Sequence, residues 1–325
     1  MATIKEVAKL AGVSPTTASY ALNNRPEVKE ETRKKVYLAA KQLCYVPNKL
    51  AQGIRNGKSN TIMVITSENI ESGNTFSAEF LGILAGARSF NYDVLVKLVD
   101  SQNIDDDEIE RLIGSFSDGY LLLGNHLDAV ARVLTKRNCK CVMLSSHTAA
   151  PVLQVNSDGK MWIKKMTEHV IERGRDRPAY FCYETATTEE LLRYKGYCEA
   201  VDEKIPGQKL AAFCCGPNGS MVEEQLRQSI SSGCDAIICW NDVLATQVID
   251  TLSVLGYGVP GPIAVTGFDD NLSYPNSVYR LTTVRQEFRL KGQTAVKELV
   301  AQIDADQPNI GDIFVPCSIV DGNTL

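Results

Sequence analysis

The chain has few histidines, and neither its histidines nor its cysteines have the spacing of a metal site. Its three histidines, at positions 126, 147 and 169, do not have the spacing of metal ligands. Its ten cysteines include no C-x-x-C pair and are scattered among apolar stretches. This pattern favours buried, reduced thiols over disulfides. We therefore expect no metal site.

Motifs of common enzymes and of membrane segments are also missing. The sequence has neither the phosphate-binding pattern G-x-x-x-x-G-K-[ST] nor the nucleophile turn G-x-S-x-G. It has no uncharged apolar run of about 18 residues that could span a membrane, and its N-terminus has no apolar signal-peptide core. We expect no catalytic residues, no cofactor, no membrane contact and a cytoplasmic location.

Charge is distributed unevenly along the chain. The net charge of −5 is the sum of about +7 over residues 1–58 and −12 over the remainder. A basic segment joined to an acidic body is typical of a nucleic-acid-binding head. A solvated basic tail is the alternative that charge alone leaves open.

The first 47 residues follow the pattern of a helix-turn-helix. Thr3-Ile4-Lys5-Glu6 has the form of a capping box, so a helix should begin near Ile4 and end at Gly12. Its apolar positions are Ile4, Val7, Ala8, Leu10 and Ala11. Ser14-Pro15 then suits the start of a second helix, which should run to about Asn23. Two helices joined by such a short turn can place the second in the major groove of DNA.

A third helix and a short linker helix complete the predicted head. The third should run from about residue 30 to 43, and the apolar residues expected to close its core are Val36, Leu38, Ala39 and Leu43. Residues 48–58 could form a hinge helix. Because this segment is short and contains Gly53, we expect it to form a helix only on DNA.

The remainder, residues 59–325, alternates apolar strand-like runs with helical stretches. Four such runs begin at residues 62, 94, 120 and 141, and four more begin at 179, 210, 236 and 263. Two successive βα arrays predict an α/β body of two doubly wound lobes. The later runs 281–286 and 313–320 should pass back between the lobes. The N-lobe would then span about 59–155 and 286–316, and the C-lobe about 156–285 and 317–325.

The same residues resemble the lactose-repressor (LacI/GalR) family. In the head, the resemblance rests on residues 3–14, Leu22-Asn23 and Tyr45-Val46-Pro47-Asn48. In the body it rests on segments that include 118–123, 168–174, 193–197, 267–270 and 281–286. The resemblance implies an all-α helix-turn-helix head and a body of the periplasmic-binding-protein-like type I fold. It further implies a transcription regulator, by family habit a repressor.

The resemblance also implies which residues contact DNA. Base edges would be read by Pro15, Thr16 and Tyr20, while phosphates would be held by Ser14, Thr17 and Asn23, and the remaining candidates are Thr3, Ile54 and Arg55. Ile54 matches the residue that the family wedges between base steps, although packing within the head is the alternative. Tyr20 departs from the arginine of many relatives, so discrimination of guanine at one base pair could be lost or replaced.

The resemblance implies three contacts of a small effector, Arg193, Asn241 and Asp269, and the positions of Asn125, after a strand, and of Phe76 make these two residues further candidates. Arg193 supplies a fork of donors, Asp269 accepts hydrogen bonds from hydroxyls, and Asn241 can do both. All three are expected just after strands, whereas Phe76 is placed in the first loop. A surface ion pair for Arg193, a loop cap for Asp269 and wall packing for Phe76 are the alternatives.

The expected partners are pseudo-palindromic operator DNA, a second copy of the chain and a small, carbohydrate-like molecule. Departures from relatives at Ser145 and at residues 214–216 leave the effector unnamed. A phosphorylated carrier protein acting as co-repressor is one alternative. The other alternative is a solute-binding protein for transport, but the function of such a protein does not require a helix-turn-helix.

Overall fold

The computed structural model describes residues 2–46, 58–67, 74–100, 103–114, 117–184, 187–216, 219–271 and 278–325. These form two compact units, Met1–Asn60 and Thr61–Leu325. Of the predicted hinge 48–58, only Lys58 is described, so Ile54 and Arg55 lie outside the described residues. No helix within the described residues is both long and apolar enough to cross a membrane.

The described part of the head contains three helices, α1 (Ile4–Ala11), α2 (Pro15–Leu22) and α3 (Glu30–Gln42). Both halves of the capping box at Thr3 and Glu6 are present, and Gly12 takes the left-handed conformation with φ 66°. The backbone N–H of Thr17 donates to Oγ of Ser14 over 3.0 Å. The local sequence signals therefore mark where the first two helices begin and where the first ends, as expected.

One residue predicted to pack in the core of the head is instead exposed. The core of the head consists of Val7, Ala8, Ala18, Ala21, Val28, Val36, Ala39 and Ala40. Leu38 is 66% exposed, because it lies two positions, about 200° around the helix, from buried Val36. The expectation for Leu38 was wrong, and Leu10, an apolar position of α1, is also exposed, at 51%.

The described residues of the body form two six-stranded sheets. The first has the strand order β11-β5-β4-β3-β1-β2 and is parallel throughout. Its strands are β1 (Thr61–Ser67), β2 (Asp93–Val99), β3 (Gly119–Leu123), β4 (Cys141–Leu144), β5 (Leu153–Asn156) and β11 (Gly311–Phe314). The second has the order β12-β10-β9-β8-β6-β7, in which only the edge strand β12 runs antiparallel to its neighbour. Its strands are β6 (Pro178–Tyr183), β7 (Ala212–Cys215), β8 (Ala236–Cys239), β9 (Ala264–Asp269), β10 (Thr282–Gln286) and β12 (Cys317–Val320).

Helices cover both sheets, as a doubly wound fold requires. They are α4 (Asn74–Ser89), α5 (Asp106–Ile113), α6 (Asp128–Lys136), α7 (Gly159–Glu172), α8 (Thr188–Lys204), α9 (Val222–Ser231), α10 (Asp242–Val254) and α11 (Phe288–Ala305). Each sheet has a separate apolar core on each face. The predicted fold class, a helical head with an α/β body of two doubly wound lobes, is confirmed.

The chain passes between the two sheets three times. It leaves the first sheet after β5, returns after β10, and leaves again in the short segment between β11 and β12. Helix α11 follows β10 of the second sheet but packs against α4 of the first, with Ala295, Val296 and Leu299 in that core. Segment 313–320 therefore includes a crossing, as predicted, whereas 281–286 forms the inner strand β10 and the chain crosses only after it.

Candidate functional site

Strands of both sheets end at one cavity of about 870 Å³. From the first sheet it is bordered by the ends of β1, β3 and β5 and by the segment after β4, and from the second by the ends of β6, β9 and β10. Ligands of open α/β sheets bind at these carboxyl ends. Its lining includes Thr66, Ser67, Phe76, Glu79, Asn125, Ser145, His147, Asn156, Tyr183, Glu189, Arg193, Trp240, Asp269, Gln286 and Lys291.

Arg193 lies in this cavity wall with its guanidinium held in place from several sides. It is 5% exposed and lies on α8 rather than directly after a strand, which corrects the expected position. Its Nε donates to Glu189 Oε1 over 3.0 Å, and its Nη1 donates to the carbonyl of Trp240 over 2.7 Å. The guanidinium carbon lies 3.9 Å from the ring centre of Phe268. Nη2 makes no hydrogen bond within the described residues, so it can donate to a ligand.

Asp269 is the last residue of β9 and has a left-handed φ of 122°. It is 8% exposed, and its Oδ1 accepts a hydrogen bond from Nε2 of Gln286 over 2.7 Å. Burial raises the pKa of Asp269 to about 6, although Arg193, Gln286 and Lys291 oppose the shift. Its Oδ2 accepts no hydrogen bond from the described residues, so this oxygen can accept one from a ligand.

A buried ion pair forms the wall of the cavity on the side of the first sheet. Lys291 on α11 and Glu79 on α4 are 3% and 4% exposed, and the Lys291 Nζ lies 2.7 Å from Oε1 of Glu79. Lys291 also donates to Oγ of Ser145 over 2.7 Å and to Oε1 of Gln286 over 3.2 Å. The hydroxyl of Ser145 donates in turn to Glu79. All three ammonium donors are therefore occupied, and Lys291 does not offer a free cation to a ligand.

His147 and Glu189 connect the two sheets across the cavity. His147 follows β4 of the first sheet, Glu189 lies on α8 beside the second, and Nε2 of His147 is 3.0 Å from Glu189 Oε2. Burial would raise the pKa of Glu189, but Arg193 and His147 outweigh it and lower that pKa to about 2. Glu189 therefore stays ionised and holds both His147 and Arg193.

The remaining predicted effector residues lie in different surroundings. Asn125 is exposed and lines the cavity. Phe76 also lines it, but in the first turn of α4 and not in a loop, and its ring stacks on Phe80 at 5.8 Å. Asn241 is not among the lining residues. It caps α10, where its Oδ1 accepts from the N–H of Leu244 over 2.9 Å.

Four residues whose contacts hold the cavity wall together were missed from the sequence, namely Lys291, Glu79, His147 and Glu189, and two of these four left a signal. Lys291 stands among Phe288, Ala295 and Leu299 at the helical spacing of the buried face of α11. Glu79 likewise stands between Phe76 and Ile83 on α4. A charge at such an apolar position indicates a buried partner. His147 and Glu189 left no comparable signal, since their proximity depends on how the two sheets are placed.

The predicted DNA-contact residues of the head cluster on the outer face of α2. Pro15, Thr16 and Tyr20 are exposed, as is the C-cap residue Asn23, whereas Ala18 and Ala21 face the core. Thr16, Tyr20 and Asn23 recur at helical intervals of four and three residues, so they share one side. The other predicted contacts have structural roles as well. Thr3 and Ser14 cap the helices, and the hydroxyl of Thr17 is 2.8 Å from that of Ser14.

No group of three or more His, Cys, Asp or Glu side chains in the described part of the chain is arranged to hold a metal ion. The polar groups of the cavity wall instead offer hydrogen bonds. A donor on Arg193 and an acceptor on Asp269 are available there, and aromatic rings lie beside them. Such an arrangement suits reversible binding of a polar molecule.

Both units match known proteins. Residues 3–48 match the family described as "Bacterial regulatory proteins, lacI family", and residues 167–325 match the "Periplasmic binding protein-like domain". The regulator GalR of Salmonella typhimurium is 27% identical over 330 residues, which cover 97% of this chain and 94% of that protein. The repressor PurR of Photobacterium profundum is 26% identical, with 93% and 92% covered. A structure described as the lac repressor dimer bound to operator and the anti-inducer ONPF superposes with a TM-score of 0.83 at 24% identity, covering 99% and 98% of the two chains.

Proposed function

This chain belongs to the LacI/GalR family of DNA-binding transcription regulators, and from that premise we propose that it is a repressor controlled by a small, carbohydrate-like effector. The effector would bind in the cavity between the two sheets. The observation that carries the proposal is the pair of unused groups there, Nη2 of Arg193 and Oδ2 of Asp269, on side chains that are otherwise held rigidly. Of the relatives, GalR is named a transcriptional regulator and PurR a transcriptional repressor.

The chemistry of the cavity favours hydroxyl groups on the effector. A hydroxyl can accept from Arg193 and donate to Asp269 at the same time, because it carries both a donor and acceptors. Phe76 and Trp240 supply flat apolar surface for the faces of a ring. Lys291, whose donors are already used, supplies no further anion-binding group. A neutral polyhydroxyl compound therefore fits better than a multiply charged anion.

Operator recognition would use the exposed side of α2. Thr16 and Tyr20 can reach base edges when this helix lies in the major groove, and Ser14, Thr17 and Asn23 lie beside them for phosphate contacts. Ile54 and Arg55 are proposed to contact the minor groove. We also propose a cytoplasmic location, since the operator is there.

A homodimer is proposed as the DNA-binding form, because a pseudo-palindromic operator offers two half-sites. The first sheet has an exposed apolar face that could form the dimer interface. Its edge strand β2 exposes Leu95, Val96 and Leu98, and α4 exposes Leu81 and Leu84. An edge strand with apolar side chains requires a cover. The lac repressor of similar fold is described as a dimer.

The effector would act by changing the angle between the two sheets. Contacts from Asp269 and Arg193 on one side, and from Asn125 and Phe76 on the other, can be made together only at one angle. His147 and Glu189 already join the two sides in the present arrangement. An effector shifts this equilibrium only by its difference in affinity for the two arrangements.

Two measurements test the proposal. Selection of DNA duplexes from a random pool, followed by mobility shift, should yield a sequence with two related half-sites. Failure to select any specific duplex would refute the proposal that the chain is a DNA-binding regulator. Thermal melting of the full chain with a panel of sugars and nucleosides should then reveal the effector. A ligand at about a hundred times its Kd adds about 2.7 kcal/mol to stability.

Arg193 provides the control. Arg193→Ala should remove the melting shift and the effect of the ligand on operator binding, while one state of the protein still binds the operator. If regulation survives this substitution, the effector does not use this cavity wall. If no compound shifts the melting of the wild-type protein, a protein co-repressor becomes the better explanation.

A further inference from the structure

Two thiols lie side by side at an edge of the second sheet. Cys182 on β6 and Cys214 on β7 are direct partners in the parallel register of these strands. Their Sγ atoms are 3.3 Å apart. Strand β7 is the last in the order of its sheet, and Cys214 is exposed there, whereas Cys182 is 8% exposed. One thiol is therefore open to reagents from solvent and the other is held next to it.

We propose that Cys182 and Cys214 form a reversible redox pair, a site of oxidation by peroxides that alters the wall of the cavity. The thiolate of Cys214 attacks the peroxide, so that a sulfenic acid forms at Cys214 and the alcohol or water leaves. The thiol of Cys182 then displaces water from that sulfenic acid, and a disulfide forms. The pair loses two electrons, which the O–O bond of the peroxide accepts.

The geometry makes this bond a labile one. A disulfide requires the two sulfur atoms to approach to about 2.05 Å. Directly opposed residues in parallel strands are about 4.8 Å apart, which is near the short end of the usual Cα separation for a disulfide. The Sγ atoms, now 3.3 Å apart, have to approach one another for the bond to form, and the product is readily reduced by cellular thiols because Cys214 is exposed. Burial raises the pKa of Cys182, which makes it the second thiol to react and not the first.

The cavity lies one residue away from this pair. Tyr183 follows Cys182, lines the cavity, and packs edge-on against Trp240 with ring centres 6.0 Å apart. Trp240 in turn accepts a hydrogen bond from Arg193 through its carbonyl oxygen. Movement of β7 toward β6 would therefore reach the rings beside Arg193. The redox pair itself does not depend on what the cavity binds.

The test uses the reduced full chain, which is treated with hydrogen peroxide, then unfolded in guanidinium chloride and labelled with N-ethylmaleimide. The number of labelled thiols should fall from ten to eight, and peptide mapping should find Cys182 linked to Cys214. Dithiothreitol should restore all ten. Cys182→Ser and Cys214→Ser should each abolish the link, whereas Cys44→Ser, which removes another exposed thiol in the head, should leave it intact.

Two results would overturn the proposal. One is oxidation of Cys214 to sulfinic acid with no link to Cys182, and the other is linkage that mainly joins other cysteines or two chains. The connection to the cavity is measured in a Trp162→Phe background, where Trp240 is the sole tryptophan. Its fluorescence should change on oxidation and recover on reduction, but not in Cys214→Ser. Unchanged fluorescence after the disulfide has formed would refute the connection to the cavity.

Discussion

At the scale of single residues, the main feature of the cavity wall is a pair of buried opposite charges, Lys291 and Glu79. Lys291 and Glu79 are almost fully removed from water, and desolvation of either ion alone costs several kcal/mol. Their contact of 2.7 Å and the hydrogen bonds to Ser145 and Gln286 offset that cost. Burial of either charge is therefore tolerated only while the opposite charge lies beside it.

Removing one member of this pair should be far worse than removing both. Lys291→Met is expected to lower the free energy of unfolding by about 3–5 kcal/mol, because Glu79 then remains buried without its partner. The double variant Lys291→Met/Glu79→Leu removes both charges and should recover most of that loss. Urea unfolding followed by circular dichroism measures both. Equal losses in the single and double variants would contradict the assigned role.

The carboxyl of Asp269 should produce two opposite dependences on pH. Its pKa is about 6 in the folded chain and about 3.9 when unfolded. Between these values the folded state holds a proton that the unfolded state has released, so the contribution of Asp269 to stability declines as pH rises. Effector affinity should instead increase as pH rises through about 6, because the ionised carboxylate is the better acceptor.

Calorimetric titration of the effector across this pH range checks the second dependence. Asp269→Asn should remove it, together with the matching slope in the unfolding free energy. Asp321→Asn is the control, since Asp321 pairs with His169 and does not line the cavity. A pH dependence that persists in Asp269→Asn would assign it to another group.

At the scale of elements, the head depends on its helix caps. Ser14 accepts from the N–H of Thr17, and α2 is only eight residues long. Helices of this length do not persist in water without caps and tertiary packing. The same residue also lies where a phosphate contact is proposed, so stability and DNA binding have to be measured separately.

Ser14→Ala should therefore weaken the head in the absence of DNA. We expect a loss of about 1 kcal/mol, the usual cost of replacing an N-cap by alanine. Thr16→Ala, at an exposed position without a capping bond, should leave melting of the head unchanged but alter operator binding. Differential scanning calorimetry and mobility shift distinguish the two variants. Identical behaviour of both variants would contradict the separate roles.

The hydrogen bond between His147 and Glu189 acts at the scale of the whole body, because it joins the two sheets. His147→Ala should favour an open cavity and weaken effector binding about tenfold, which corresponds to about 1.4 kcal/mol. The control is His169→Ala, since His169 also pairs with a carboxylate, Asp321, but outside the cavity. Effector titration of both variants tests this. A similar loss in both would show that the effect is not specific to the bridge.

Dimerisation is also a property of the whole molecule. Leu98→Glu places a charge on the exposed apolar face of β2 and should convert dimers to monomers, with a large loss of operator affinity. Ile310→Glu is the matched control, because Ile310 is similarly exposed but lies beside β11 at the opposite edge of the same sheet. Analytical ultracentrifugation measures the outcome. A dimer that tolerates Leu98→Glu would place the interface elsewhere.

Local signals in the sequence were enough for the first helices of the head and for the doubly wound class of the body, although they missed the strand β5. Thr3, Gly12, Ser14 and Pro15 act through hydrogen bonds and dihedral angles within a few residues of themselves, and alternation of apolar runs with helical stretches predicts a doubly wound body. Which face of a helix is buried was harder to predict, as the exposed Leu38 demonstrates. An apolar side chain is not necessarily buried, and only packing against neighbours selects the face that is.

The composition of the cavity, by contrast, depended on long-range geometry. Arg193 and Asp269 could be proposed from resemblance, but Lys291 and Glu79 lie more than two hundred residues apart, and His147 meets Glu189 only because the two sheets face each other. Such contacts arise from the three crossings of the chain between the sheets. Sequence by itself therefore determined the helix starts, the fold class and the family, since these follow from local and periodic interactions. Which charges are buried together was determined only by tertiary packing, because no local rule relates residues so distant along the chain.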